Sequence, residues 1–115
     1  MIHIIAEFFG VDSRKIAKAG RLKEVLDEVV AKSRLKPISS LSHQFEPFGA
    51  TCLYLLKESH LCVHTWPEHS YLTVDLFSCD KEDGRALEAF KLLKEAFSPT
   101  RVSLKTLKHE LYEGT

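Results

Sequence analysis

The sequence lacks a charge excess of either sign, a long apolar run and a secretory leader. Lys and Arg together number 16, as do Asp and Glu, so net charge gives no support for binding to nucleic acid or to an anionic membrane. No apolar run approaches the length of a membrane span, and the N-terminus has no basic region followed by a long apolar core. We therefore expect a cytoplasmic protein with neither a nucleic-acid nor a membrane partner.

The sequence also has too few cysteines for a disulfide framework. Cys52, Cys62 and Cys79 are an odd number and form no CxxC pair, which favours reduced thiols. The 115 residues suffice for one hydrophobic core and fall short of the length at which chains usually split. A single domain spanning residues 1–115 is expected.

Hydrophobic periodicity predicts the order strand, helix, several strands, helix, strand. One helix is capped by Asp12 or Ser13, and the other begins near Asp80 or Asp83 and ends before Pro99. This order predicts an α+β fold, a two-layer α/β sandwich with a mostly antiparallel sheet and both helices on one face. The predicted strands are residues 2–9, 37–48, 51–57, 61–66, 71–79 and 101–108.

Histidines and cysteines interrupt the apolar pattern in the stretch "LLKESHLCVHTWPEHSYLTVDLFSCD", residues 55–80. Because side chains alternate along a strand, one face of the segment after the Glu58–Ser59 turn carries polar and aromatic groups. A half-buried sheet face with hydrogen-bonded histidines would explain this without any function. The residues predicted on that face are His60, Cys62, His64 and Trp66, with Leu61, Val63 and Thr65 opposite.

Three functions compete with that structural explanation. His and Cys are metal ligands, although no compact ligand pair anchors a site. A Cys–His pair could act as a hydrolase nucleophile, although the spacing does not single one out. In the third, the Ser59 hydroxyl attacks the carbonyl of Glu58 and moves the acyl group from nitrogen to oxygen, with His64 as a base for the later elimination. The residues alone leave all three open.

Three strings together resemble the signature of the short prokaryotic type of pyruvoyl-dependent S-adenosylmethionine decarboxylases. They are "SHQFEPFGAT", "LLKESHLCVHTWPE" and "VDLFSC". The resemblance runs in consistent order over residues 3–99 and is most specific over residues 42–79. It implies an enzyme that releases CO2 from S-adenosylmethionine and supplies aminopropyl groups for spermidine synthesis.

The resemblance implies that the chain cuts itself between Glu58 and Ser59. The products would be residues 1–58, a β chain, and residues 59–115, an α chain that starts with a pyruvoyl group made from Ser59. His64 would remove the α-proton in the elimination step. The pyruvoyl ketone would form a Schiff base with the substrate amine and accept its electrons, so neither pyridoxal phosphate nor a metal is expected.

The resemblance also implies roles for residues beyond the cleavage point. Thr51 would support the ester intermediate, and Cys79 would return a proton to the substrate carbon after CO2 leaves. Because Cys79 would act on the substrate, its loss is expected to spare the self-cleavage. For substrate binding, Glu68 would accept the ribose hydroxyls, Phe45 would stack on adenine, and Glu7 would lie near the active site.

The short members of this family are homodimers, which implies active sites at a subunit interface. Ser59 and Cys79 of one subunit would face the partner's His64 and the partner's Glu68. Relatives on this scaffold decarboxylate arginine or ornithine, so those substrates are the alternative within enzymes. From another class, the alternative is a non-catalytic homodimer that binds a metal through its His and Cys residues.

The sequence departs from the family pattern at positions next to the expected site. Cys52 and Asp80 stand where the family commonly has Gly, and His69-Ser70 stands where it has Tyr-Gly. The C-terminal Arg-Gly common in the family is missing. None of these changes removes a proposed catalytic group, and they bear on which substrate is used.

Overall fold

Six strands and three α-helices form the part of the chain that the computed structural model describes, residues 1–79 and 84–110. The helices are α1 (Ser13–Ile16), α2 (Ala19–Lys32) and α3 (Gly84–Phe97), and Pro67–His69 forms a 3-10 turn. The expected start of the second helix at Asp80 or Asp83 lies outside the described residues. The strands are β1 (Ile2–Phe9), β2 (Pro37–Gln44), β3 (Ala50–Leu56), β4 (His60–Trp66), β5 (Tyr71–Ser78) and β6 (Arg101–Lys108).

The strands form one sheet in the order β2-β3-β4-β5-β1-β6, and every neighbouring pair is antiparallel. Strands β2 to β5 follow one another as hairpins, whereas β1 lies between β5 and β6. The first strand therefore lies inside the sheet and is paired on both sides. This arrangement confirms the predicted α+β sandwich with an antiparallel sheet.

One face of the sheet carries the core, because alternate side chains of β1, β3, β4 and β5 are buried there. Helices α2 and α3 cover this face with their apolar stripes. Thr65, the one polar member of the buried set on β4, donates from Oγ1 to the Ile16 carbonyl at 2.7 Å and so holds α1 against the sheet. The buried helix residues are Leu22, Leu26, Val29, Val30, Ala86, Ala89, Phe90, Leu93 and Phe97.

The first helix is interrupted, where the periodicity predicted one continuous helix. The Asp12 side chain caps α1 as expected, but Lys18 has extended backbone angles and α2 starts after it. The side chain of Gln44 binds the backbone groups at this break. Its Oε1 accepts from the Ala19 N–H at 2.6 Å, and its Nε2 donates to the Ala17 carbonyl at 3.1 Å. A side chain 25 residues away in sequence thus replaces the missing helical hydrogen bonds.

The second strand is shorter than expected. It ends at Gln44, and residues 45–49 form a loop that the Phe45 N–H closes on the Gly49 carbonyl at 2.8 Å. Gly49 has φ +106°, an angle that side-chain-bearing residues rarely adopt. The aromatic residue expected to stack on adenine, Phe45, therefore lies on a loop.

The described helices are too short or too polar for a bilayer, and none of them could span a membrane.

Gly10 and Gly20 provide a matched test of the fold. Gly10 has φ +71°, and a Cβ there would lie 2.1 Å from Thr100 Oγ1 and 2.9 Å from Thr100 Cβ. We expect Gly10→Ala to lower the free energy of unfolding by about 1–3 kcal/mol. Gly20, in the first turn of α2, has no atom within 4 Å of such a Cβ, so Gly20→Ala should raise it by about 0.5–1 kcal/mol. Urea unfolding of both variants measures the difference, and equal effects would contradict the assigned backbone geometry.

Candidate active site

The Glu58–Ser59 peptide bond lies in the turn that joins β3 to β4. The Leu56 N–H donates to the Ser59 carbonyl at 2.9 Å, and the Ser59 N–H points back to the Leu56 carbonyl at 3.5 Å. Glu58 is exposed, Ser59 is half-buried, and His60 starts β4. The peptide bond expected to break is thus held on both sides by a rigid hairpin.

The Cys79 thiol donates to the carbonyl oxygen of Glu58 at 2.8 Å. Cys79 directly follows β5, whose C-terminal end lies beside the start of β4 in the sheet. A donor on this oxygen draws electrons from the carbonyl carbon and stabilises the negative charge that an attacking hydroxyl would place on the oxygen. The sequence predicted a role for Cys79 on the substrate alone, and it did not indicate this contact with the Glu58 carbonyl.

A cavity of about 290 Å³ opens at this turn. It is lined by the Glu58–Ser59 peptide and Cys79, together with three cationic residues, Lys36, Lys57 and Arg85. The cleavage turn, the thiol and a cationic wall thus share one opening at this end of the sheet.

His64 belongs to a hydrogen-bonded chain on the open face of the sheet, the face that none of the described helices covers. Its Nδ1 lies 2.8 Å from Thr51 Oγ1, its cross-strand partner, and its Nε2 lies 3.3 Å from Cys62 Sγ. Burial, with the Asp75 carboxylate adding to it, raises the pKa of the Cys62 thiol, so the sulfur keeps its proton at neutral pH. When that thiol donates to Nε2, the ring proton lies on Nδ1 and is donated to Thr51. The predicted pair of Thr51 and His64 is in direct contact.

The open face is organised in rows of residues that pair across the strands. One row contains Leu55, His60, Phe77, His3 and Leu107. Two residues farther along the strands, the next row contains Leu53, Cys62, Asp75, Ile5 and Lys105, and the row beyond it contains Thr51, His64, Thr73, Glu7 and Ser103.

The expected site residues of one chain fall into two groups at opposite ends of the sheet. Ser59 precedes the first row, whereas His64 lies in the third, and the five residue steps from Ser59 to His64 span about 16 Å. That separation is far beyond hydrogen-bond reach. The cleavage end comprises Glu58, Ser59 and Cys79, and the far end comprises Glu7, Phe45, Thr51, His64 and Glu68.

Glu7 is engaged by a tyrosine at the far end. The Tyr71 hydroxyl donates a short hydrogen bond to the Glu7 carboxylate. Burial raises the pKa of Tyr71 to about 12, and the hydrogen bond to Glu7 contributes to the rise. Glu7 therefore has a fixed orientation on the open face.

Glu68 lies in the 3-10 turn beside a second cavity of about 370 Å³. Phe48 and Arg14 line this cavity with Glu68, and neither of the two was predicted from the sequence as a site residue. Phe45 lies on the same loop as Phe48 but does not line the cavity. An aromatic ring, a cation and a carboxylate thus meet here, which suits a ligand with a flat ring and hydroxyl groups.

The open face also holds a cluster of three polar residues that was not predicted from the sequence. Asp75 Oδ1 lies 2.7 Å from His3 Nε2 and 3.1 Å from His60 Nε2. In the described part of the chain, this is the group of His, Cys, Asp and Glu whose ligand atoms lie close enough together to hold a metal ion, all within 4.8 Å. His60 and Asp75 face the same side because Cys62 pairs with Asp75 in the register of β4 and β5. His3 joins them because β1 pairs with β5, a contact across 72 residues that no local pattern indicates.

Comparison with known proteins identifies the family. The family model for S-adenosylmethionine decarboxylase matches residues 2–110. The chain is 42% identical to the S-adenosylmethionine decarboxylase proenzyme of Thermoplasma acidophilum, over 92% of this chain and 80% of that one. It is 41% identical to the proenzyme of Archaeoglobus fulgidus, over 84% of this chain and 86% of that one.

Solved structures agree. The adenosylmethionine decarboxylase of Aquifex aeolicus superposes with a TM-score of 0.92 at 34% identity, covering 99% of this chain and 93% of that one. A Trypanosoma brucei AdoMetDC-delta26 monomer shares the fold alone, with a TM-score of 0.64 at 16% identity over 90% of this chain and 44% of that one.

The matched relatives identify the chain as a carboxy-lyase, and its structure has the same α+β fold as theirs. More specifically, it belongs to the S-adenosylmethionine decarboxylase family, whose members depend on a pyruvoyl group and are made as proenzymes. The family, the enzyme class and the fold expected from the sequence are thereby confirmed.

Proposed function

We propose that this chain cuts itself between Glu58 and Ser59 and then decarboxylates S-adenosylmethionine, releasing CO2 and S-adenosylmethioninamine for spermidine biosynthesis. The observation that carries the proposal is the thiol of Cys79 on the carbonyl oxygen of Glu58, the oxygen that must accept negative charge if Ser59 attacks. A connecting turn has no need of a thiol at that position.

The proposed self-cleavage needs no reagent other than water. Ser59 Oγ attacks the Glu58 carbonyl carbon, and the carbon–nitrogen bond breaks to leave an ester. Loss of the Ser59 α-proton then breaks the bond between Cβ and Oγ, which releases Glu58 as a carboxylate. The dehydroalanine that remains rearranges to an imine, and water converts the imine to a ketone with loss of ammonia. Cys79 stabilises the charge on the Glu58 oxygen in the first step.

The residues around Ser59 fit a pyruvoyl group at that position. The hydrogen bond from the Leu56 N–H reaches the Ser59 carbonyl, which the cut leaves intact, and β3 and β4 remain paired along their length. When formed, the ketone captures the substrate amine and withdraws the electrons that CO2 leaves behind. Cys79, beside it, is then placed to return a proton to the substrate carbon.

We further propose that the active enzyme is a homodimer in which the open faces of two sheets meet. This supplies the base that one chain lacks, because a twofold axis lays the cleavage end of one sheet over the far end of the other. The partner's His64 then serves Ser59, and the arrangement produces two equal sites. The open face also exposes apolar side chains that such packing would bury, namely Ile5, Leu53, Leu55, Trp66 and Leu107.

In this dimer the far end supplies the substrate contacts. We assign Glu68 to the ribose hydroxyls, Phe45 to adenine, and Glu7 to the vicinity of the reacting centre, with Thr51 holding His64. The cavity beside Glu68 supports the part of this assignment that concerns Glu68. We also propose a cytoplasmic location, where reducing conditions would keep the proposed proton donor Cys79 as a free thiol.

The cleavage itself is tested by the size of the products. Purified protein should give fragments of 58 and 57 residues in place of one 13.1 kDa chain. Ser59→Ala removes the attacking oxygen and should leave one folded, inactive chain, whereas Ser39→Ala, on exposed β2, should cut normally. Release of CO2 from S-adenosylmethionine, with arginine and ornithine as comparison substrates, identifies the activity. An intact wild-type chain after long incubation contradicts the cleavage, and CO2 released only from arginine or ornithine contradicts the substrate.

The double role of Cys79 predicts two separate losses. Cys79→Ala should slow the cleavage by about 10²–10³-fold, because the donor to the Glu58 oxygen is gone. In the chains that are cut, the same substitution should lower the turnover rate by about 10²–10⁴-fold. Cys79→Ser keeps a hydrogen-bond donor, so it should cut faster than Cys79→Ala yet remain slow in turnover.

Fragment accumulation over time measures the first effect of the Cys79 variants, and CO2 release per cut chain measures the second. The control is Cys52→Ala, which removes a buried thiol on the core face of β3 and should change neither rate more than its effect on folding requires. Cleavage of Cys79→Ala at the wild-type rate would show that the contact with Glu58 has no part in processing.

The shared site predicts that two inactive variants restore each other. Ser59→Ala lacks the nucleophile, and His64→Ala lacks the base. A mixed dimer has one site with both groups and one with neither. Co-expression of the two variants should give roughly one quarter of the wild-type number of sites when subunits assort at random. Activity and cut chains of the co-purified protein measure this, and no recovery in a verified mixed dimer would mean that both groups act within one chain.

A further inference from the structure

One carboxylate oxygen on the open face binds two histidines from two other strands. Asp75 on β5 lies between His3 on β1 and His60 on β4, and both Nε2 atoms approach the same Oδ1, at 2.7 and 3.1 Å. Phe77 closes the group: its ring stacks on that of His60 at 6.0 Å between centroids and meets the edge of His3 at 5.4 Å. We call His3, His60 and Asp75 the His–Asp cluster.

The cluster is built around a charged acceptor. Partial burial opposes ionisation of Asp75, but the hydrogen bonds from His3 and His60 outweigh it and lower the pKa of the carboxyl. A carboxylate only accepts, so each imidazole carries a proton on Nε2 and donates it. The His60 ring is therefore held by a charge-assisted hydrogen bond on one side and by an aromatic ring on another.

The cluster lies one residue from the proposed reaction centre, because His60 is bonded directly to Ser59. Before the cut, residue 59 is held by the chain on both sides. Cleavage removes the bond to Glu58, and the nitrogen that pointed to the Leu56 carbonyl leaves as ammonia. The new end of the chain then keeps the hydrogen bond from the Leu56 N–H and its bond to His60. The anchoring of His60 matters more after the cut than before it.

We propose that Asp75, oriented by His3, is a positioning residue that fixes His60 and thereby the reactive end of the cut chain. The proposal rests on the proposed function of Ser59 and deepens it. It assigns the His–Asp cluster to turnover and not to self-cleavage. Since small misplacements of a reacting group cost large factors in rate, the cluster should have a large effect without touching the substrate.

The test separates cleavage from turnover in four variants of the His–Asp cluster and one control variant, each compared with wild type. Asp75→Ala should reach the wild-type extent of cleavage, while kcat per cut chain falls about 10- to 100-fold. His3→Ala should show a smaller fall, and the double variant should match Asp75→Ala, since His3 acts through Asp75. Asp75→Asn retains one acceptor oxygen and should lie between wild type and Asp75→Ala. Glu28→Gln, which removes only an exposed ion pair with Lys32, should behave as wild type.

Other results overturn the proposal in distinguishable ways. Cleavage and turnover that fall in the same proportion would assign the cluster to folding, and dimer loss by sedimentation would assign it to assembly. Unchanged turnover in Asp75→Ala would leave the cluster without a role. Turnover of wild type that responds to Zn²⁺ or to a chelator, and is insensitive to both in Asp75→Ala, would make these residues metal ligands. If wild type neither cuts nor releases CO2, the proposed function itself has failed.

Discussion

The structure depends on a sheet that helices cover on one face only. The pleat sends alternate residues of each strand to opposite sides, so the strands that build the core also display a second set of side chains on the uncovered side. On β4 the core receives Leu61, Val63 and Thr65, while the open face receives histidines and a thiol. The core is complete without that second set, which leaves the open face available for chemistry.

The same geometry explains why the proposed site needs a second chain. A strand is rigid and extended, so the turn at Ser59 and the imidazole of His64 are held apart by the length of β4. The rigidity that separates them in one chain also places them reproducibly, and two sheets facing each other in opposite directions would bring each turn to an imidazole. Holding the Glu58–Ser59 turn between two paired strands has a second benefit, since the sheet would survive the proposed loss of one peptide bond.

Local features were predictable from the sequence, and features that depend on distant pairing were not. The stripe on α3, the alternation on β4 and β5, and the closing strand follow from periods of 3.6 and 2 within short segments. The break between α1 and α2 depends on Gln44, and the His–Asp cluster depends on the insertion of β1 between β5 and β6. The thiol of Cys79 meets Glu58 across 21 residues because β5 pairs with β4, so its contact with the Glu58 carbonyl became evident only in three dimensions. The roles given to the site residues all stay predictions, namely those of Glu7, Phe45, Thr51, Ser59, His64, Glu68 and Cys79.

The central claim is that residue 59 becomes a ketone that binds the substrate amine, and trapping with borohydride tests it most directly. The fragment covering residues 59–115 should be lighter than one with a free N-terminal serine by the mass of one ammonia. Reduction in the presence of S-adenosylmethionine should add the decarboxylated substrate to that fragment, and peptide mapping should place it on residue 59. A fragment that begins with an ordinary serine, or a label fixed on a lysine or absent altogether, would contradict the account.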